Sequence, residues 1–198
     1  MAHRFLDLVF TPPVLAAQEH YYGRDHALPP STHDDPLGPE EIAFIESRDS
    51  FYIASVNESG WPYMQHRGGP PGLAAKVVSP QEIAFADYKG NRQLLTTGNV
   101  ATNDRVCLFF MDYPNRQRLK LLGHAEVLDA RDHPDLVTQL APPELQKQTE
   151  RLFRIRIVSF DWNCPKYITP RYTRAEVEAA VAPLRARIAE LEALLASS

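Results

Sequence analysis

Apolar residues recur with a period of two in several short runs, which predicts a chain built mainly from strands. Residues 51–56 are rich in aromatic and β-branched side chains, 57–60 form a turn cluster, and 61–67 resume as an extended run. This order predicts a hairpin. Further extended runs lie at 74–78, 82–86, 106–111, 119–128 and 153–160, and Gly123 in the run at 119–128 is expected to form a bulge or bend. Six or seven short strands without regular strand–helix alternation predict a closed or nearly closed antiparallel barrel with peripheral helices.

Helical patterns lie around these strands. Residues 1–38 are rich in proline, and only 14–22, stopped by Gly23, predict a short helix, so we expect an arm that lies on the barrel or on a partner subunit. Pro39 and the carboxylates of Glu40 and Glu41 suit the first turn of a helix that ends near Arg48. Residues 132–149 are predicted to be helical and broken at 142–143, and Asn91–Gln93 to open a short helix.

The C-terminal segment has a different period. A capping-box pattern at 173–176 precedes a helical run in which apolar residues step alternately by four and three. Pro183 is expected to kink this helix or to restart it. The helix either packs on its own barrel or forms a subunit contact. The apolar positions are Val177, Val181, Leu184, Ile188, Leu191 and Leu195.

Length and composition limit the classes of protein. The 198 residues are compatible with one domain at 39–170, flanked by the arm at 1–38 and the helix at 171–198. A net charge of −4 without a basic tract argues against a nucleic-acid partner. No apolar run approaches the roughly 20 residues of a membrane helix, and no signal peptide is evident. Two distant cysteines, Cys107 and Cys164, are expected to be unpaired thiols in the cytoplasm.

The chain shows no familiar motif for catalysis or metal binding. Neither a nucleophile signature nor a phosphate-binding P-loop is present. Three histidines and two aspartates cluster in the arm, but their spacing matches no ligand pattern, so we predict no metal site. These residues are His20, His26, His33, Asp34 and Asp35.

Two stretches carry candidate binding chemistry. In the first, the polar residues Gln65, His66 and Arg67 lead into a glycine loop at 68–72, followed by Lys76. This loop either lets backbone N–H groups approach a bulky anion or ring, or serves turn geometry alone. In the second, residues 85–93, a strand ends in a glycine turn and a guanidinium follows. That arrangement suits a phosphate, and an ordinary turn with a surface arginine is the alternative.

From residue 42 to 128 the chain resembles the pyridoxamine 5′-phosphate oxidase-like family of FMN-binding split barrels. Residues 161–165 (DWNCP) also resemble the C-terminal part of one branch of this family. The segments that carry the resemblance are QHRGGPPG at 65–72, FADYKGNRQ at 85–93, NDRV at 103–106 and MDYPNRQRLK at 111–120.

The resemblance implies a mainly β (α+β) fold, a six-stranded antiparallel split barrel, in a homodimer with two FMN molecules at the subunit interface. Arg92 and Gln93, with Asn91 beside them, match the positions that hold the FMN phosphate. Lys76 matches the end of the flavin-binding strand, near the substrate. Asp87 matches a threonine that contacts the flavin, and Arg118 matches a glutamine that reaches the flavin from the second subunit. Gln65, His66 and Arg67 lie beside an insertion in the cofactor-binding region.

The chain departs from the oxidase in ways that affect its function. Gln93 replaces the usual lysine, Asp87 lacks the threonine hydroxyl, and the C-terminal block that grips the pyridoxal phosphate product has no counterpart. We therefore predict an FMN-dependent oxidoreductase that acts on a small molecule of unassigned class. The alternatives are a non-catalytic FMN- or haem-binding module and a deazaflavin-dependent reductase, because one fold hosts several functions.

Overall fold

A computed structural model of the chain describes residues 3–24, 30–162 and 165–196. The contacts between residues divide the chain into two compact units. The first consists of residues 1–111 and 118–164, and the second of residues 112–117 and 165–198.

The first unit is built on a seven-stranded sheet with the order β2-β1-β5-β6-β7-β4-β3. The strands are β1 (Ser50–Val56), β2 (Pro62–Gly68), β3 (Lys76–Ser79), β4 (Glu82–Tyr88), β5 (Arg105–Asp112), β6 (Gln117–Asp129) and β7 (Thr149–Trp162). The pairs β1–β2, β1–β5, β3–β4, β4–β7 and β6–β7 are antiparallel. The predicted mainly β, α+β class is confirmed. All seven extended runs form strands, one more than the six that the resemblance implies.

The sheet curls around one apolar core. Alternate residues of β1 and β5, such as Phe51 and Phe110, point into this core and are almost fully buried. In β6 the register shifts between Leu122 and Gly123, which confirms the predicted bulge. A Cβ atom at Gly123 would lie 2.6 Å from the carbonyl oxygen of Arg156, so only glycine fits at this close approach.

The helices of this unit are α1 (His3–Val9), α2 (Pro12–Tyr22), α3 (Pro39–Glu46), α4 (Leu95–Thr102), α5 (Pro134–Leu140) and α6 (Pro143–Gln146). The helices predicted over 14–22 and 39–48 and the break at 142–143 are confirmed. The prediction that a helix begins at Asn91–Gln93 is wrong. Helix α4 begins at Leu95, because Arg92 and Leu94 both adopt a left-handed backbone conformation.

Strand β4 is buried on both faces. Phe85 points into the barrel core, and Ala84 and Ala86 point to a second cluster formed with Val137 and Leu140 of α5. Because α5 covers the outer face of β4, the polar residues of this strand are confined to its ends. Asp87 therefore marks the point where the buried strand opens to the site described below.

Two parts of the N-terminal segment, α1 and residues 34–35, lie on its own barrel. Helix α1, which the sequence pattern does not predict, contacts β7 and buries Phe5 to 5% exposure. Asp34 pairs with Arg156 of β7, and the hydroxyl of Ser159 donates to Asp35. These ion pairs and hydrogen bonds use the acidic residues of the arm to attach it to the outer face of β7.

Cys107 in β5 is a free thiol, and burial raises its pKa above the usual value, although Lys120 acts in the opposite direction. Cys164, the other thiol expected to be unpaired, lies outside the described residues, as does His26. Across the described ranges, no helix is both long and apolar enough to cross a membrane, and no group of three or more histidine, cysteine or acidic side chains could hold a metal ion.

The second unit contains the hairpin turn at 112–117 and α7 (Arg174–Ala196). The predicted capping box is confirmed, since the backbone N–H of Thr173 donates to Glu176 Oε2 at 2.7 Å and the N–H of Glu176 donates to Thr173 Oγ1 at 3.2 Å. Helix α7 continues through Pro183.

Candidate functional site

A polar cleft lies between β2, the end of β4, the start of β7 and the loop that leads into α4. It has a volume of about 200 Å³. We call it the β2–β4 cleft. Its walls include Tyr63, Gln65, Arg67, Asp87, Tyr88, Gly90, Asn91, Arg92, Gln93, Leu94, Leu95, Thr96, Thr97 and Arg151.

The strand pattern of β2 selects which side chains face this cleft. Tyr63, Gln65 and Arg67 alternate with more exposed residues, so all three lie on one face of the strand. The amide oxygen of Gln65 accepts a hydrogen bond from Thr96 Oγ1 at 2.8 Å, which ties β2 to the first turn of α4. His66 points to the other face, where its ring contacts Tyr52 edge-on at 5.5 Å between centroids.

Asp87 is the centre of an ion-pair cluster at the closed end of the cleft. Its carboxylate accepts from Arg67 through one oxygen and from Arg151 Nε at 2.7 Å through the other. Asp87 and Arg151 are cross-strand partners of β4 and β7, whereas Arg67 comes from β2, at one end of the sheet. The cluster therefore helps to close the barrel.

Aromatic rings support this cluster from the core side. The guanidinium of Arg67 lies 5.4 Å from the ring centroid of Phe85 and 5.2 Å from that of Phe153. Burial alone would lower the pKa of Arg151, but its hydrogen bonds and charge pairing with Asp87 and Glu150 raise it above the usual value. Arg151 is thus a cation, paired with Asp87.

The loop that leads into α4 forms the open side of the cleft. Arg92 and Leu94 have φ angles of 60° and 56°, which residues other than glycine rarely adopt. Asn91 Oδ1 accepts from the backbone N–H of Gln93 at 3.1 Å and stabilises the turn. The side chains of Arg92 and Gln93 are exposed.

The N-terminus of α4 faces the same cleft without a capping side chain. Leu94 occupies the capping position and makes no side-chain hydrogen bond. The first N–H groups of a helix need partners from outside the helix, and they carry its positive partial charge. Arg92 and this helix end therefore offer positive charge and hydrogen-bond donors to an anion in one place.

Tyr88 completes the wall between the cleft and a neighbouring depression of about 170 Å³, which His66, Arg67 and Asp87 also line. Its hydroxyl oxygen is buried and has no hydrogen-bond partner among the described residues. Burial, with a smaller contribution from Glu144, raises the pKa of Tyr88 above its usual value. The hydroxyl is therefore a neutral group at physiological pH, able to donate one hydrogen bond.

Comparisons with known proteins identify the family. The family model described as pyridoxamine 5′-phosphate oxidase matches residues 37–160, well over half of the chain. The chain belongs to the pyridoxamine 5′-phosphate oxidase family. The β2–β4 cleft and the resemblance segments at 65–72 and 85–93 all lie within the matched range.

Solved structures show the same fold. A candidate pyridoxamine 5′-phosphate oxidase from Lactobacillus delbrueckii matches with a TM-score of 0.51 and 18% identity, over 64% of this chain and 94% of that one. HupZ from Group A Streptococcus matches with a TM-score of 0.50 and 10% identity, over 69% of this chain and 100% of that one. At these identities the likeness establishes the split-barrel fold alone. A search of curated proteins finds no match.

Six of the nine residues expected at the cofactor meet in the β2–β4 cleft, a juxtaposition that only the fold can create. His66 borders the neighbouring depression, and two others line neither space. Their roles in binding stay predictions. The six are Gln65, Arg67, Asp87, Asn91, Arg92 and Gln93.

The register explains why Lys76 and Arg118 lie elsewhere. Lys76 pairs with Ala84, and because cross-strand partners share a face, its side chain lies opposite to that of Phe85. Arg118 precedes Leu119, which is fully buried in the core, so Arg118 lies on the outer face of β6. Its Nε atom is buried there without a hydrogen-bond partner among the described residues.

Sequence reasoning did not select Arg151, Thr96 or Tyr63, which also line the cleft. A partial signal for Arg151 was available: it shares the period-two face of Phe153 and Ile155. No comparable signal places β7 beside β4, because that pairing joins residues far apart in the chain.

Proposed function

We propose that the β2–β4 cleft binds FMN and that the protein is a cytoplasmic, homodimeric oxidoreductase. The observation that carries the proposal is electrostatic. Three guanidinium groups and one carboxylate line the cleft: those of Arg67, Arg92 and Arg151, and that of Asp87. This excess of positive charge, beside an uncapped helix N-terminus, suits a phosphate ester that is close to a dianion near neutral pH.

Arg92 is the proposed phosphate anchor, with Asn91 and Gln93 beside it. Its guanidinium is exposed and has no ion-pair partner among the described residues, whereas Arg67 and Arg151 are already paired with Asp87. A guanidinium can bind two phosphate oxygens at once. With glutamine at 93, Arg92 is the cation that the loop before α4 contributes to the cleft.

The size of the cleft supports a contribution from a second subunit. Pockets for ligands of this size enclose about 300–1,000 Å³, and one chain provides about 200 Å³. Leu94 and Leu95, each 45% exposed at the rim, offer apolar surface for a partner or for the flavin ring. We propose that Arg118 of the partner chain, on the outer face of its β6, completes the site.

Bound FMN supplies hydride and electron transfer through its isoalloxazine ring, and the residues of the chain bind and orient it. Gln65, held by Thr96, is positioned to form hydrogen bonds along the cleft, and Tyr88 lines its wall. Asp87 accepts hydrogen bonds from two guanidinium groups and fixes the floor of the site. We propose a small-molecule substrate.

The deciding experiment is the absorption spectrum of the purified full-length protein, followed by titration with FMN and with riboflavin. We expect a flavin spectrum and FMN binding that is at least tenfold tighter than riboflavin binding. A haem or deazaflavin spectrum would contradict the FMN proposal and identify the bound cofactor as haem or deazaflavin. Equal affinity for the two flavins would overturn the phosphate assignment.

A turnover assay tests the oxidoreductase assignment separately. With FMN bound, we expect oxidation of NADH or NADPH in the presence of oxygen above the rate of free FMN. Protein that binds FMN and leaves the nicotinamide unchanged, with oxygen and with artificial electron acceptors, would instead be a flavin-binding module.

A further inference from the structure

An apolar seam runs along helix α7 and faces solvent. Five of its six residues are 43–77% exposed: Val177, Leu184, Ile188, Leu191 and Leu195. They repeat with alternating steps of four and three together with Val181, over about 27 Å of helix. A contiguous exposed apolar stripe of this length on an otherwise polar helix marks an interaction surface.

We propose that α7 pairs with α7 of a second copy of this chain in a parallel, in-register, two-stranded coiled coil. The distribution of side-chain shapes along the seam supports this geometry. In heptad terms the four central residues are Val181 and Ile188 at a positions and Leu184 and Leu191 at d positions, and the seam ends with Val177 at d and Leu195 at a. β-Branched residues at a with leucine at d favour parallel dimers over higher oligomers.

Charges beside the seam distinguish the two possible orientations. In a parallel pair, position g of one helix faces position e of the next heptad on the other, which brings Arg187 to Glu192 of the second copy, twice by symmetry. Within one chain Arg187 pairs with Glu190, at position c, at 2.5 Å, so its guanidinium must exchange this partner for Glu192 of the second copy when the two helices pair.

An antiparallel pair that kept the same apolar layers would bring like charges together. Arg185 would face Arg185 of the second copy, and Arg187 would face Arg187. Glu178 would face Glu192. Like charges at these flanking positions disfavour the arrangement, so the pattern selects the parallel orientation.

Pro183 is compatible with the seam. It falls at position c, on the side of the helix away from a and d, so its ring does not interrupt the apolar layers. The b and f positions around it are mostly alanine, which has the highest helix propensity. The helix therefore presents one continuous apolar face at positions a and d, and the alanines and Pro183 lie on its opposite side.

Disulfide trapping in the full-length protein tests the proposal. The background replaces Cys107 and Cys164 with serine, and Ile188→Cys is compared with Ala186→Cys, which lies at position f. We expect Ile188→Cys at micromolar protein to cross-link about 100-fold faster than Ala186→Cys, because a coiled coil holds the two thiols at millimolar effective concentration. Equal rates for the two variants would overturn the proposal.

A mixture of Leu184→Cys and Ile188→Cys proteins tests the orientation. A parallel pair links like positions, giving 188–188 and 184–184 products, whereas an antiparallel pair gives the mixed 184–188 product. Predominance of the mixed product would overturn the parallel orientation.

Charge reversal provides an independent test. In the Ile188→Cys background, Arg187→Glu is expected to slow cross-linking about threefold, and adding Glu192→Arg is expected to restore it. A double variant as slow as the single one would contradict the g–e′ contact. None of these residues lines the β2–β4 cleft, so FMN binding is expected to be unchanged, and failure of the coiled coil is distinguishable from failure of the flavin proposal.

Discussion

Two kinds of arginine lie in the same cleft. The side chains of Arg67 and Arg151 are 14% and 19% exposed, and both are paired with Asp87. Arg92 is exposed, lies on a loop with a left-handed backbone, and has no ion-pair partner among the described residues. Residues of identical chemistry thus occupy two different environments within one cleft.

The difference between them assigns their roles. A charge that is buried and already neutralised holds strands together, and its loss leaves other charges unpaired in a poorly solvated place. A charge that is exposed and unpaired contributes little to stability and can bind an incoming anion. The same comparison explains how an aspartate is tolerated at 87, where the resemblance implies a threonine: two arginines neutralise it.

The largest effect is expected for Asp87→Ala. It leaves the guanidinium groups of Arg67 and Arg151 without their shared partner and is expected to lower the free energy of unfolding by about 3 kcal/mol. Urea denaturation monitored by circular dichroism measures this change. The matched control is Glu178→Ala, which breaks the exposed pair with Arg174 and should change stability little. Equal destabilisation by both variants would contradict the structural role of Asp87.

Arg92→Ala is expected to leave stability nearly unchanged and to weaken FMN binding about tenfold to a hundredfold, since a charge-assisted hydrogen bond is worth about 1.5–3 kcal/mol. Fluorescence titration with FMN, and with riboflavin as the control ligand, measures the effect at two salt concentrations. Arg92→Lys should be intermediate because it keeps the charge and loses the two-pronged donor.

Arg24→Ala removes an exposed arginine outside the cleft and serves as the matched control variant. An unchanged preference for FMN over riboflavin in Arg92→Ala would place the phosphate elsewhere.

Gln93→Lys sharpens the comparison by adding a cation next to Arg92, where the family usually carries one. We expect FMN to bind about fivefold tighter, with a steeper decrease in affinity as salt is raised, because an exposed charge is screened by ions. Riboflavin affinity should not change. Tighter binding of both flavins would show that the added lysine contacts the ring system and not the phosphate.

Leu94→Gly is expected to give the smallest effect. A left-handed conformation costs a residue other than glycine about 1–2 kcal/mol, and the substitution removes this cost. The greater entropy of glycine in the unfolded state offsets part of the gain. The variant should therefore be about 0.5–1 kcal/mol more stable in thermal or urea unfolding. Leu95→Gly, inside α4, is the control and should be destabilised. A loss of stability in Leu94→Gly would show that the leucine side chain contributes contacts that outweigh the backbone strain.

Local patterns were sufficient to predict most elements and part of the site. The seven extended runs, the helix beginning at Pro39, the bulge at Gly123 and the capping box at Thr173 follow from interactions between residues close in sequence. The start of α4 was misplaced because Arg92 and Leu94 adopt a backbone conformation that propensities disfavour. Only the surrounding fold can impose such a conformation.

The sequence by itself determined most of the secondary structure, the class of fold and the family segments, because hydrophobic period and turn residues act over short distances. The tertiary structure alone decided which side chains share the cleft. It placed Arg151 beside Asp87 and turned His66, Lys76 and Arg118 to other faces, since strand register moves every side chain between two faces with each single step. The charge of an arginine is known from the sequence alone, whereas its availability to a ligand depends on which side chains the fold places next to it.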